Sequence, residues 1–151
     1  MEIKTFHPDY ATTFYDLNIE WLEAFFYVED YDREVLSKPE QYIINPGGHI
    51  FFATENDKIY GTVALMPLEE NVFELTKMAV LPASRGKKIG HLLMQQCIDF
   101  ARSLGHQKMI IYSNTILENA IYLYRKFGFV EIPVEPDNKY ERCNIKMELA
   151  L

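Results

Sequence analysis

Cysteine is scarce in this chain of 151 residues, which excludes several kinds of site. Cys97 falls on the apolar stripe of a helical segment and Cys143 in a predicted strand, so we expect both to be reduced packing residues rather than a disulfide. No Cys-x-x-Cys motif occurs, and the four histidines are scattered along the chain. We therefore expect no metal site.

Long apolar runs and an excess of basic residues are also missing. No stretch approaches the ~18 apolar residues that a membrane span needs, and the first residues do not form a charged segment followed by an apolar one. We therefore expect no membrane partner and a cytoplasmic location. The 15 lysines and arginines are outnumbered by 22 aspartates and glutamates, giving a net charge of −7. This balance argues against nucleic acid as a partner, because phosphate backbones are bound by basic surfaces.

The residues that are present describe an ordinary globular protein. Hydrophobic residues make up 48% of the chain, including ten tyrosines and ten phenylalanines, which excludes a disordered protein. No internal repeat, linker or low-complexity tract interrupts the sequence. We therefore expect a single domain over residues 1–151, which is long enough to bury a full core.

Local patterns predict an α+β mixed sheet. Apolar residues at helical spacing follow Pro8, a shorter helix is predicted over 31–36, and later helices are predicted over 88–104 and 117–126. The predicted strands cover 3–6, 50–53, 58–65, 72–80, 109–112, 129–132 and 144–149. The second to fourth of these strands, separated by turn residues, are expected to form an antiparallel meander. The strands 72–80 and 107–113, joined by a right-handed crossover, should form a parallel pair in the middle of the sheet.

The most informative segment is residues 78–105, where an apolar strand leads through a basic turn into an amphipathic helix. The turn is Arg85-Gly86-Lys87-Lys88-Ile89-Gly90. It brings backbone N–H groups, the positive end of a helix dipole and three cationic side chains together, which suits a pyrophosphate. The Walker P-loop and the dinucleotide-binding motif are both absent. The alternative is a solvated helix N-terminus whose lysines only confer solubility.

A second motif follows the next strand, where Tyr124 lies four residues before the pair Gly128-Phe129. Together with the basic turn, it resembles the GNAT superfamily of acyl-CoA-dependent N-acetyltransferases, and the resemblance covers essentially the whole chain. The resemblance implies a mostly antiparallel sheet with helices on both faces and a central parallel pair that splays apart to admit acetyl-CoA. Lys88 stands where the family has the first glycine of its phosphate-binding signature. A lysine there offers its backbone N–H if its φ is negative.

The resemblance also assigns residues to the coenzyme. The main chain of Met78 and Val80 would hydrogen-bond the pantetheine amides as an added strand does. Asn119 resembles a coenzyme-contacting asparagine of the family, and Asn114, at the end of a strand, is an equal candidate. The expected coenzyme contacts are Met78, Ala79, Val80, Arg85, Gly86, Lys87, Lys88, Ile89, Gly90, Asn114, Asn119 and Tyr124.

Two side chains are candidates for the chemistry itself. Acetyl transfer to an amine needs a path that removes a proton from the ammonium and an acid that protonates the departing thiolate. Glu74 is a carboxylate in a largely apolar strand. If the acetyl group lies near Thr76, Glu74 is about 6.6 Å away from it along the strand, which favours a bridging water over direct contact. The alternative is an exposed Glu74 or one paired with Lys77. In the resembled family a tyrosine at the position of Tyr124 gives its proton to the coenzyme sulfur; the alternative is core packing.

The acceptor pocket of the resembled family is built from the first two helices, their connecting loop and the loop before the last strand. The corresponding residues here are Trp21, Phe25, Tyr27, Glu29, Tyr140 and Arg142. Glu29 would hold a second ammonium and Arg142 a carboxylate. The alternative is that each is a surface charge.

The function that the resemblance implies is acetyl-CoA-dependent acetylation of a primary amine of a small molecule or peptide. Transfer would be direct, in a ternary complex and without a covalent enzyme intermediate, which agrees with the absence of an evident nucleophile. No metal is expected to take part. The alternatives are a non-catalytic acyl-CoA-binding sensor of the same fold and a transferase for another acyl group. A homodimer is left open.

Overall fold

One seven-stranded sheet organises the computed structural model, which describes residues Met1–Leu151. Its strands are β1 (Glu2–Thr5), β2 (His49–Glu55), β3 (Lys58–Glu69), β4 (Val72–Val80), β5 (Lys108–Ser113), β6 (Val130–Ile132) and β7 (Ile145–Ala150). The order across the sheet is β1-β2-β3-β4-β5-β7-β6, and only β4 and β5 are parallel neighbours. The predicted mixed α+β fold, with its meander and its central parallel pair, is confirmed.

Helices cover both faces of this sheet, as expected. They are α1 (Ala11–Phe25), α2 (Asp30–Ser37), α3 (Ile89–Ser103) and α4 (Glu118–Lys126). One core cluster joins the sheet to α3 and includes Leu93, Cys97 and Ala101; the other joins the opposite face to α1 and α2. None of the helices is long and apolar enough to cross a membrane.

The parallel pair is short, and its end determines where the site lies. β4 and β5 are in register only at Val72–Lys108, Phe73–Met109 and Glu74–Ile110. Beyond Glu74 the two strands separate, while β4 continues to pair with β3 as far as Val80. The splay is therefore confirmed, and it leaves the β5-facing backbone of β4 without a strand partner.

A β-bulge at Lys77 changes the direction of the side chains within β4. Lys77 has a left-handed φ of +56°, and β4 has one residue more than β3 at this point. The β4 side chains that pack in or against the α3 core are Phe73 and Leu75 before the bulge and Met78 and Val80 after it. A one-residue shift exchanges the two faces of a strand. Lys77 therefore lies on the same face as Glu74, towards α1 and α2.

Two local predictions were wrong. β3 continues to Glu69 instead of ending at Leu65, and it tolerates Pro67 because β2 stops opposite Leu65, so no ladder is lost on that side. Cys143 lies before β7 rather than inside a strand, whereas Cys97 is fully buried.

Candidate active site

The splay between β4 and β5 opens into a cavity of about 90 Å³. One side is formed by Met78, Ser113, Asn114 and Tyr124, at the gap between the strands. The other side is formed by polar and aromatic groups from the opposite face of the sheet, namely Asn18, Trp21, Asp32, Lys77, Tyr140 and Arg142. One cavity thus connects the strand gap with a charged compartment.

Tyr124 projects from α4 into the strand-gap side of this cavity. Its ring packs against Phe129, with centroids 6.2 Å apart. Burial raises the pKa of the Tyr124 phenol, and the nearby Ser113 hydroxyl opposes this shift. Tyr124 therefore keeps its proton at neutral pH and can donate it to a group in the cavity.

The N-terminus of α3 is left open for an anion. No side chain caps it and no acidic residue occupies its first turn. The first N–H groups of a helix have no partner within the helix, so an uncapped first turn keeps these donors available. Arg85 is already engaged, with its Nη2 atom 2.8 Å from Glu20 Oε2 and its guanidinium over the Phe25 ring. The exposed Lys87 and Lys88 form no ion pair.

The backbone conformation of Lys88 is not the one expected to let it offer its N–H in this turn. Its φ is +63°, in the left-handed region, and not negative. Gly86, two residues earlier, has a φ of +87° and open space where a Cβ would be. The backbone at position 88 therefore has the shape that glycine adopts, and the lysine side chain is accommodated at a cost of about 1 kcal/mol.

Replacing Lys88 with glycine should raise the free energy of unfolding by about 0.5–1 kcal/mol, because it relieves the left-handed backbone. Lys87→Gly is the matched control, since Lys87 does not have a positive φ. It removes the same charge but should destabilise the protein by a similar amount. Thermal denaturation would distinguish the two variants, and equal shifts in the same direction would contradict the assignment.

The two asparagines that were candidates for coenzyme contact differ in their position relative to the cavity. Asn114 lines the cavity, whereas Asn119 is exposed on α4 and does not. Both polar atoms of the Asn114 amide already have a protein partner, because its Nδ2 donates to the Arg142 carbonyl at 2.7 Å and its Oδ1 accepts from the Ile116 N–H at 2.9 Å. Asn114 therefore fixes the end of β5 to the loop that contains Arg142.

Glu74 is buried, with 1% exposure, and does not form part of the cavity wall. The Tyr140 hydroxyl donates to Glu74 Oε2 at 2.9 Å, and Lys139 Nζ lies 2.5 Å from Oε1. Both alternatives for Glu74 were wrong, since it is neither exposed nor paired with Lys77. Because Tyr140 lines the cavity, its hydroxyl stands between Glu74 and the cavity.

The six acceptor-pocket candidates divide equally. Trp21, Tyr140 and Arg142 line the cavity. Phe25, Tyr27 and Glu29 lie outside it. Phe25 packs against Trp21, and the Tyr27 hydroxyl donates to Glu141 Oε2 at 2.8 Å.

Arg142 and Glu29 bind each other and Asp32, which removes the roles expected for them. The Arg142 guanidinium donates to both oxygens of Asp32, at 2.6 and 3.0 Å, and to Glu29 Oε2 at 2.8 Å. Glu29 Oε1 also accepts the Glu141 N–H at 3.1 Å. The Nη1 and Nη2 atoms of Arg142 therefore already donate to protein carboxylates. Glu29 is likewise not available to hold an ammonium.

Three charged residues of this compartment were not among the sequence candidates: Asp32, Lys77 and Lys139. Lys77 had a usable signal in the sequence, because two consecutive polar residues, Thr76 and Lys77, interrupt the alternation between Leu75 and Met78, as is typical of a bulge. Asp32 and Lys139 had none, since the charged groups that they bind, Arg142 and Glu74, lie far away along the chain.

Comparison with known proteins identifies the family. The family model described as Acetyltransferase (GNAT) family matches residues 13–129. The chain therefore belongs to the GNAT family of acetyltransferases. It is 33% identical over 89 residues to an uncharacterized N-acetyltransferase of Escherichia coli, YjgM, covering 56% of this chain and 53% of YjgM. The chain thus spans about half the length of that relative.

Solved structures share the fold over nearly the whole chain. A GNAT-family acetyltransferase from Staphylococcus aureus superimposes with a TM-score of 0.88 at 22% identity, covering 99% of this chain and 98% of that one. The PaiA N-acetyltransferase from Thermoplasma acidophilum, in complex with coenzyme A, gives a TM-score of 0.78 at 21% identity and covers 99% of this chain and 98% of its own. These likenesses establish the fold.

Proposed function

We propose that this chain is an acetyl-CoA-dependent N-acetyltransferase that acetylates a primary amine of a small molecule or peptide by direct transfer in a ternary complex. The observation that carries the proposal is the gap between β4 and β5. It joins an unpaired strand edge, the Tyr124 phenol and a polar compartment in one cavity. Family membership supports the proposal, as does the coenzyme A bound by the Thermoplasma neighbour.

The strand-gap side fits the coenzyme, which would supply the acetyl thioester. The unpaired edge of β4 from Met78 to Val80 would hydrogen-bond the extended pantetheine arm as an added strand does. The uncapped N-terminus of α3, with Lys87 and Lys88 beside it, would hold the pyrophosphate. Tyr124, between these two elements, would protonate the departing sulfur.

The acceptor ammonium must lose a proton before it can attack, and the structure suggests a path. The Tyr140 hydroxyl lies 3.4 Å from Thr76 Oγ1 at the cavity and donates to Glu74 at 2.9 Å. Tyr140 would accept a proton from the amine side while passing its own to Glu74. Burial and the Glu74 charge raise the pKa of Tyr140 well above its ordinary value, so a path without a phenolate suits it.

Two measurements test the proposal. Calorimetry with coenzyme A should give saturable binding, and a thiol-release assay with acetyl-CoA should show turnover that depends on an added primary amine. Absence of coenzyme A binding would overturn the proposal. Binding without amine-dependent thiol release, across amino acids, polyamines and peptides, would instead favour the non-catalytic sensor. Propionyl-CoA in the same assay would measure the preference for the acyl group.

Glu74→Gln should lower turnover about 10-fold near neutral pH and less at alkaline pH, where the amine is already deprotonated. Tyr140→Phe interrupts the same path, so it should change the pH–rate profile in the same way. Coenzyme A affinity should be retained in both variants. A Glu74→Gln profile that runs parallel to that of the wild type would count against this role.

A further inference from the structure

The charged compartment behind β4 contains equal numbers of acidic and basic side chains. The acids are Glu29, Asp32 and Glu74, and the bases are Lys77, Lys139 and Arg142. Arg142 binds Glu29 and Asp32, and Lys139 binds Glu74 at 2.5 Å. Every carboxylate therefore already has a close cation, and none is left to bind a second ammonium of a substrate.

Of the two cations that line the cavity, Arg142 is held by Glu29 and Asp32, whereas Lys77 has most of its hydrogen-bonding capacity unused. Its side chain is only 4% exposed and lines the cavity. Its Nζ atom donates to the Tyr140 hydroxyl at 3.4 Å, whereas Asp32 Oδ1 is 3.7 Å away, beyond hydrogen-bond distance. An ammonium has three N–H donors, and buried donors without acceptors are unfavourable. Two donors of Lys77 are thus available at the cavity.

We infer that Lys77 binds a carboxylate of the acetyl acceptor, so that the acceptor is a small amine that also bears a carboxylate, as in an amino acid. This inference rests on the function proposed above and names its substrate class. A zwitterion preserves the equality of charges in the compartment. A polyamine would add positive charges for which no carboxylate remains.

The bulge is what makes this contact available. With regular alternation, Lys77 would project to the face of Phe73 and Leu75, into the α3 core. The left-handed φ of +56° instead turns it towards the compartment, at an energetic cost that a lysine would not incur in an ordinary strand. The Tyr140 ring, 4.8 Å from Nζ, and the Tyr31 ring, at 5.8 Å, then hold the ammonium in place.

The charge of Lys77 should make this recognition depend on pH. Burial lowers the pKa of Lys77 to about 8; Asp32 and Glu74 oppose that shift, and Arg142 and Lys139 reinforce it. Tyr31 and Tyr140 are the other titratable groups that face it. Above about pH 8 the free protein loses the positive charge, so the preference for a carboxylate should weaken there.

The test compares matched acceptors, each amino acid with its carboxamide, with rates expressed per neutral amine because loss of the carboxylate also lowers the pKa of the amine. The wild type should favour the acid, and Lys77→Met should lower the ratio of kcat/KM for acid to that for amide by about 10-fold or more, the range for a hydrogen bond to a charged group. Activity on the amide should persist, which shows that the variant is folded. Lys77→Arg should restore part of the preference.

Lys58→Met is the matched control, because Lys58 also lies over a tyrosine ring, that of Tyr60 at 5.2 Å, but outside the cavity. It should leave the ratio unchanged. Equal use of acid and amide by the wild type, or an equal loss on both with Lys77→Met, would overturn the inference. If no amine of any kind is acetylated, the proposed function fails, and calorimetric binding of the acid and amide pairs still decides whether Lys77 selects a carboxylate.

Discussion

Replacing Tyr124 with phenylalanine should slow acetyl transfer by about 100-fold or more while coenzyme A affinity changes little. The substitution keeps the ring and its packing against Phe129 and removes only the hydroxyl that reaches the cavity. Since burial raises the pKa of the phenol, Tyr124 holds its proton throughout the neutral range and can give it to a departing thiolate. Single-turnover kinetics would measure the chemical step, and calorimetry would measure binding.

The same helix provides a control for this prediction. Tyr122 is 71% exposed and lies outside the cavity, so Tyr122→Phe should leave the rate unchanged. Full single-turnover activity in Tyr124→Phe would show that solvent supplies the proton. A structure with bound coenzyme A in which the Tyr124 oxygen lies far from the sulfur would show that Tyr124 contributes packing and not the proton.

Arg142→Met should lower the free energy of unfolding by about 3–5 kcal/mol, the usual effect of removing one partner of a buried ion pair. Arg142 makes three hydrogen bonds to Asp32 and Glu29, and Asp32 is completely buried. Without the guanidinium, Asp32 retains only the Glu29 N–H, at 3.1 Å, and the more distant Lys77. Denaturant unfolding would measure the loss.

Two variants make the Arg142 result interpretable. Adding Asp32→Asn to Arg142→Met removes the uncompensated charge, so the double variant should recover part of the stability. Lys38→Met breaks the exposed pair with Glu34 and should leave stability almost unchanged. If Arg142→Met is no more damaging than Lys38→Met, the Arg142 network does not stabilise the fold.

The sheet and its helices were predictable because their signals are local. Apolar spacing, turn residues and the glycines after α3 and α4, Gly105 and Gly128, lie within a few positions of the element that they define. The errors arose where a distant partner decides the outcome. Pro67 stays in a strand only because β2 ends opposite Leu65, which the local sequence does not reveal.

The candidate site was predictable only where the resemblance to a known family assigned residues. The resemblance assigned Tyr124 and Met78 to the coenzyme, and both line the cavity. The charged compartment was not predictable, because Arg142 finds Asp32 and Glu29 more than a hundred residues away along the chain. Charge type alone does not reveal such partners, so Glu29 and Arg142 were interpreted as substrate ligands when they bind each other.

The gap between β4 and β5 also bears on how this sheet avoids unwanted association. A strand edge with unpaired amides normally invites another chain to add to it, and proteins protect their outer edges for that reason. Here the unpaired amides of β4 face inward, between two strands of the same sheet. A neighbouring protein strand cannot reach them, whereas a slender linear molecule can. The unpaired edge of β4 is therefore inaccessible to strands of other proteins but open to a ligand that is narrow enough to enter the gap.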